Sequence, residues 1–249
     1  MNKEFYGEEI FMKKTKLFCL PYAGGSAMMY YRWKNQLEKH IEVIPLELPG
    51  RGKRTGEPLI SNLEEIVDLL FHEIISQLDR SEVAFFGYSM GSLLAFELAY
   101  RVETICKQEI SHLFLAASRP PHLKRNSPPI HMLPQEEFEE NIYKLGGTPR
   151  ELFENEEVRR YFLPLLRSDF KLVETYNFSK KSEKLSSGMT ILMGMDDIHN
   201  DKDLNEWSIH TNNSCKVCYF NGGHFFINEQ TEEIIKVINN TLPQFSIYR

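Results

Sequence analysis

Six short apolar runs punctuate the chain: Lys16 to Leu20, Glu42 to Leu46, Val83 to Phe86, His112 to Ala117, Thr190 to Met193 and Val217 to Phe220. Between them lie helical patterns. Leu63, Ile66, Val67, Leu70, Phe71, Ile74 and Ile75 recur at three- and four-residue steps before the third run, and Leu93, Leu94, Phe96 and Leu98 follow it. Strands alternating with helices are satisfied by a mostly parallel sheet with helices on both faces, so an α/β fold is expected. The 249 residues, 42% hydrophobic, suffice for one large domain of this kind.

The alternation breaks after Ala117. SRPPHLKRNSPPIHMLP holds five prolines and suits a surface connection. Pro134 then stands at a helix start with Glu136 and Glu137 in the first turn, and Phe138, Ile142 and Leu145 form one stripe ending at Gly146-Gly147. A second helical run begins near Asn155 and carries Val158, Tyr161, Phe162, Leu165, Leu166, Phe170 and Val173; Pro164 is expected to kink or split it. Residues 126–187 therefore read as a helical insertion in a core formed by 1–125 and 188–249. Its proline-rich and Ser/Lys-rich flanks, the latter at 179–188, predict few ties to that core and a mobile lid.

A net charge of −6 gives no global attraction for nucleic-acid phosphates, so no nucleic-acid partner is expected. Basic residues nevertheless cluster at Arg51, Lys53 and Arg54 and at Arg119, Lys124 and Arg125, each group after a strand, where they would form a positive rim. Four scattered cysteines suit a reducing compartment. The longest apolar run near the start is Ile10-Phe11-Met12, too short for a secretory core, and no stretch approaches the ~18 apolar residues of a membrane span. A cytoplasmic protein with no membrane partner is expected.

The segment from Val83 to Leu93 is an apolar strand, then Gly87-Tyr88-Ser89-Met90-Gly91, then an amphipathic helix. That context makes Ser89 a candidate nucleophile on a sharp strand-to-helix turn, with glycines where larger side chains would collide. A serine needs a histidine to take its proton and an acid to orient the histidine, and on such a turn they follow as acid, then histidine. Thr190 to Met193 runs into Gly194-Met195-Asp196-Asp197, and Val217 to Phe220 into Asn221-Gly222-Gly223-His224. His224 is the expected base. Asp197 is the better placed acid because it stands three residues past the strand-end glycine, and Asp196 remains its rival. His40 and His72 lie in upstream helices, His122 and His131 in the proline-rich link, His112 precedes the required order, and His199 and His210 lie near or beyond the acid loop. The Met90 N–H and the Ala23 N–H, the latter in Leu20-Pro21-Tyr22-Ala23-Gly24-Gly25-Ser26, are candidate donors to an oxyanion; a plain glycine-rich turn is the alternative for the second.

Three other patterns carry no such chemistry. Cys215 and Cys218, three apart on a strand, point to opposite faces. His72-Glu73-Ile74-Ile75-Ser76 has serine where a zinc-binding helix needs its second histidine. The glycines of Gly50 to Gly56 match neither phosphate-binding spacing. No metal and no cofactor are expected.

From Leu17 to Leu242 the chain resembles an α/β-hydrolase, and within that fold the type II thioesterases of nonribosomal peptide and polyketide synthesis, with relatives in fatty-acid synthesis. The resemblance is carried by FCLPYAGGSA, IPLELPGRGKR, FFGYSMGSLLAFELA, ASRPPH, KLGGTPREL, LPLLRSDFKLVETY, the Gly194 to Asp197 loop and FNGGHFFI. It implies Ser89 as nucleophile, Asp197 as acid, His224 as base, Met90 and Ala23 as oxyanion donors, and 126–187 as the lid of an acyl channel. It further implies a stand-alone, monomeric enzyme that hydrolyses acyl thioesters from the phosphopantetheine arm of acyl- or peptidyl-carrier proteins, clearing misprimed synthases. The sequence departs from the family at Tyr88, where histidine is usual, at Ser92, and at Ile198-His199-Asn200 after the acid. A carboxylester hydrolase or lipase would use the same residues, and a catalytically dead binding protein is the reading outside enzymology.

Overall fold

The computed structural model describes residues 10–12, 14–123, 128–147, 154–197, 201–242 and 245–247. Among the described residues there are eight strands: β1 (Ile10–Met12), β2 (Thr15–Leu20), β3 (Ile41–Pro45), β4 (Glu82–Tyr88), β5 (Ile110–Ala116), β6 (Gly188–Gly194), β7 (Cys215–Phe220) and β8 (Phe245–Ile247). β2 to β7 form one sheet in the order β3-β2-β4-β5-β6-β7, with every neighbouring pair parallel. Each strand overlaps one of the six apolar runs. β1 and β8 make a separate antiparallel pair that the sequence did not announce, since three residues are too few to display an alternation.

The central strands are predominantly apolar because both faces are covered. Alternation sorts their side chains into two cores. Phe18, Leu20, Val83, Phe85, Leu113, Leu115, Ile191 and Met193 join the core under α1 (Leu63–Ile75) and α2 (Met90–Arg101). Leu17, Cys19, Ala84, Phe86, Tyr88, Phe114, Ala116 and Leu192 pack against Tyr30, Trp33, Ile234, Ile235 and Ile238 on the other face. The first helix is capped as its sequence demands: Asn62 accepts from the Glu65 N–H at 3.2 Å, and Glu64 and Glu65 face the positive end of the dipole.

The segment between β5 and β6 contains α3 (Gln135–Leu145) and α4 (Glu156–Thr175). α4 continues through Pro164, so of the kink or split expected there the split does not occur. A mid-helix proline costs about 3 kcal/mol. Burial of Leu163, Leu165, Leu166 and Leu172 on both sides of it supplies a larger opposing term. The expectation of few ties to the core is also overturned for this helix. Leu172 belongs to the main core, the Asp169 carboxylate pairs with Arg51, and just beyond the helix Tyr176 Oη and Lys181 Nζ both reach the buried Glu97 carboxylate at 2.5 Å. Both the helix and the Ser/Lys-rich flank after it are anchored, the flank through Lys181 on Glu97, Ser186 on Glu103 and the buried Leu185. α3 differs. Its Phe138 and Ile142 pack on Leu163, Leu166 and Phe170, and Arg167 lies 4.3 Å over the Phe138 ring while donating to the His131 and Leu133 carbonyls.

These contacts set an order of opening. Amide hydrogen exchange of the intact protein is expected to show α3 exchanging well before residues 165–173 of α4, whose protection tracks that of β4 and β5. Equal protection of α3 and α4 would show one cooperative layer instead.

Candidate active site

β4 delivers the chain into the turn at Ser89, whose φ of +52° and ψ of −111° lie outside the regions favoured by L-residues. The turn closes because nothing projects from Gly87 or Gly91: a Cβ on the first would sit 2.2 Å from the Gly91 carbonyl oxygen, and on the second 2.2 Å from that of Leu20. The Ser89 N–H donates to the Ala116 carbonyl at 2.8 Å. The Ser92 hydroxyl donates between the Gly87 and Ala116 carbonyls, 2.8 Å from each, so this departure from the family pattern ties the turn to β5.

The other two side chains come from the carboxyl ends of β6 and β7. Met195 N–H donates to the Phe220 carbonyl at 2.8 Å and Asp196 N–H to that of Gly222 at 3.0 Å, so the two loops are zipped together beyond the sheet. At the end of this zipper His224 Nδ1 meets Asp197 Oδ2 at 2.9 Å, and His224 Nε2 meets Ser89 Oγ at 3.0 Å. Asp196 points into solvent, so the carboxylate that reaches the ring is that of Asp197.

Tyr88, one residue before the serine, was not assigned a role by the sequence. Its buried hydroxyl donates to the His224 carbonyl at 2.6 Å and accepts the Ile227 N–H at 3.3 Å, fastening the histidine loop to the strand that carries Ser89. Burial raises the phenol pKa far above its ordinary value, so it serves as a neutral hydrogen-bonding group.

Met90 is the first residue of α2, where an N–H has no partner inside the helix, and it flanks the same cavity as Ala23 in the loop after β2. Both residues line the cavity beside Ser89. The cavity opens on Ser89 and His224. Ile142 and Leu145 of α3 and Leu166, Phe170 and Val173 of α4 form an apolar wall opposite them. Such a site can deprotonate the serine, stabilise a tetrahedral oxyanion and accommodate an apolar chain beside the reacting carbon.

The remaining histidines are engaged elsewhere. His112 Nε2 is 2.8 Å from Thr190 Oγ1, His122 Nδ1 is 2.8 Å from His210 Nε2, His131 Nδ1 is 2.6 Å from Glu174 Oε2, and His40 Nε2 is 2.9 Å from the Leu242 carbonyl. His72 is exposed, and His199 lies outside the described residues with Ile198 and Asn200. Cys215 and Cys218 are free thiols on β7, and no group of three metal-ligating side chains occurs among the described residues.

The positive rim read from the sequence is corrected. Arg51 is buried in its pair with Asp169, Arg54 pairs with Glu57, and Arg119 pairs with Asp203 at 2.8 Å. Only Lys53 of the first cluster faces solvent with no charged partner among the described residues, and Lys124 and Arg125 lie outside them. Residue type suggested solvated charge; a neighbouring carboxylate consumes it at Arg54, and carboxylates distant in sequence do so at Arg51 and Arg119.

The chain matches the family model described as "Thioesterase domain" over residues 15–242. It is 36% identical over 235 residues to the protein named linear gramicidin dehydrogenase LgrE of Brevibacillus parabrevis, covering 93% of this chain and 89% of that one. Among solved structures it is similar to ClbQ from the colibactin NRPS/PKS pathway, with a TM-score of 0.88, 33% identity and coverage of 92% of this chain and 97% of that one. It is also similar to the type II thioesterase BorB from the borrelidin biosynthetic cluster, with a TM-score of 0.84, 32% identity and coverage of 94% and 97%.

Two measurements probe the geometry. A serine-directed phosphonate is expected to label Ser89; Asp197→Asn slows labelling on the order of 10³-fold or more, and Asp196→Asn stays within about twofold. A larger effect at Asp196 would overturn the placement. Separately, burial pushes the His112 and His210 pKa values each down to about 4 from 6.5. Between those pH values the unfolded chain binds protons that the folded chain refuses, so stability is fully held above about pH 6.5 and falls as the pH drops toward 4. Urea midpoints are expected to decline across this window, and less steeply in His112→Gln.

Proposed function

This chain belongs to the thioesterase family and is a thioester hydrolase, and from that premise we propose that Ser89, His224 and Asp197 release acyl groups from the phosphopantetheine arm of carrier proteins by way of an acyl-serine intermediate. His224 Nε2 takes the Ser89 proton as Oγ attacks the thioester carbonyl, and Asp197 holds the ring by Nδ1 and stabilises the imidazolium. The carbonyl oxygen, now negative, is received by the Met90 and Ala23 N–H groups. The pantetheine thiol departs with the proton from His224. Water, deprotonated by the same ring, then attacks the acyl-serine and frees the acid.

The observation that carries this reading is the opening of the Ser89–His224–Asp197 chain into a cavity walled by apolar residues of α3 and α4. That wall suits an acyl chain, and we assign residues 126–187 the role of cover, with α3 as its movable part. ClbQ and BorB, from natural-product pathways, support carrier-bound acyl groups as the substrate class. The free cysteines suit the cytoplasm.

The redox activity in the name of LgrE is not carried over. Gly52 stands against the Glu47 carboxylate, which fills the space a Cβ would need, so this glycine-rich loop accommodates an acid rather than phosphates.

A single acyl group presented as carrier-protein thioester, coenzyme A thioester and simple oxygen ester separates the alternatives. The carrier thioester is expected to give the highest kcat/KM, and Ser89→Ala to lower turnover by several orders of magnitude with the fold intact. Preference for the oxygen ester would favour a carboxylester hydrolase.

A further inference from the structure

Asp169 is a buried carboxylate, and the hydrolytic steps do not use it. Its two oxygens collect three donors at one distance: Arg51 Nη2 to Oδ1, Arg51 Nη1 to Oδ2, and the Gly24 N–H to Oδ2, each at 2.7 Å. Arg51 Nη1 also donates to the Gly25 carbonyl at 3.2 Å. The four residues come from three segments: the loop after β2, the loop after β3, and α4. Both charged side chains are at least 95% covered, and Arg51 Nε has no hydrogen-bond partner. An ion pair this dry is a doubtful source of stability, because desolvation offsets most of its attraction. What it provides is directional: the carboxylate grips the Ala23–Gly24 peptide of the loop and the guanidinium the Gly25 carbonyl two peptides on.

That loop carries Ala23. Gly24 lies at φ +80°, and a Cβ there would fall 2.5 Å from Leu166 Cδ2 of α4, so the loop is pressed against α4 by packing as well as by the pair. Leu166 and Phe170, which flank Asp169 along α4, line the cavity beside Ser89. One stretch of helix therefore walls the acyl site and grips the peptide next to Ala23.

We propose that Asp169 and Arg51 are positioning residues that aim the Ala23 N–H at the oxyanion, so that the oxyanion site depends on how α4 is seated. The inference rests on the proposed roles of Ser89 and Ala23 and adds what holds the second donor in place.

An acyl trifluoromethyl ketone tests it. Ser89 Oγ adds to the ketone carbon, the serine proton passes to His224, and the oxygen becomes an anion in the position of the tetrahedral intermediate. A thioether of the same chain cannot add and reports only on the cavity. In Asp169→Asn an amide nitrogen faces one of the three donors. The expected result is a fall in kcat of tenfold or more, a rise in the ketone Ki by the same factor, and a thioether Kd within about twofold of wild type. The double variant Arg51→Met/Asp169→Leu removes both charges together; it is expected to unfold at a urea concentration near that of wild type yet keep the low kcat and the weak ketone binding. It carries the test alone if Asp169→Asn does not fold. Equal weakening of ketone and thioether, or recovery of turnover in the double variant, would overturn the proposal. Wild-type protein that hydrolyses no thioester and forms no Ser89 adduct would overturn the functional reading beneath it, a different outcome from either of these.

Discussion

Everything at the site hangs from one peptide geometry, the left-handed turn at Ser89. A non-glycine residue held there costs on the order of 1–3 kcal/mol and persists only where its surroundings overdetermine it. The surroundings do so from three directions. β2 presents the Leu20 carbonyl where only Gly91 can approach, β5 accepts the Ser89 N–H on Ala116, and Ser92 ties the first turn of α2 back to both β4 and β5. Those strands are neighbours in the middle of the sheet, the most buried part of the fold. The strained residue is thus placed where local relaxation would demand displacement of the sheet itself.

The same logic explains which parts of the molecule were legible beforehand. Strands buried on both faces read as largely apolar runs, so the central four were visible on that ground and the half-exposed edge strands β3 and β7 by their Val, Ile and aromatic content, while β1 and β8 were too short to show a pattern. Ser89 and His224 stood out because glycines bracket them at strand ends, a local signal for a local geometry. The choice between Asp196 and Asp197 was open because it depends on loop register, which the zipper between the β6 and β7 ends fixes and which no single segment encodes. Arg51 was misread as solvated for a related reason. Its partner Asp169 is 118 residues away, and local charge spacing carries no trace of it.

Tyr88 shows how a departure from the family pattern is absorbed. Its side chain points away from the serine, into the core on the opposite face of the sheet, and its hydroxyl reaches the His224 loop from below. The phenol packs within reach of Tyr22 and Phe226, whose rings lie 5.9 and 5.3 Å away, so the loop is held by an apolar stack with one polar tip. Aromatic residues of this kind combine a large buried body with a hydrogen bond at the end, which is the combination needed where a core meets a site.

The five candidate groups of the site are therefore supported in two different ways. Ser89, Asp197 and His224 sit at the ends of β4, β6 and β7, and hydrogen bonds between those strand ends set their separations. Met90 follows from Ser89 through the start of α2. The Ala23 loop is held from several sides: Gly24 and Gly25 bond to Asp169 and Arg51, the Ser26 hydroxyl donates to Glu47, Tyr22 packs edge-on against Tyr88 and Phe225, and Gly24 is pressed on Leu166. On the roles proposed above, the Ser89–His224–Asp197 chain is set by the strand ends, whereas the loop of Ala23 also contacts the helix that walls the cavity. A substitution on the inner face of α4 that alters chain accommodation acts, through the Asp169 carboxylate, on a peptide adjoining the reacting carbon as well. The proposed positioning of Ala23 would therefore couple substrate preference to turnover at α4, and α3 would enter the same coupling through its packing on Leu166 and Phe170.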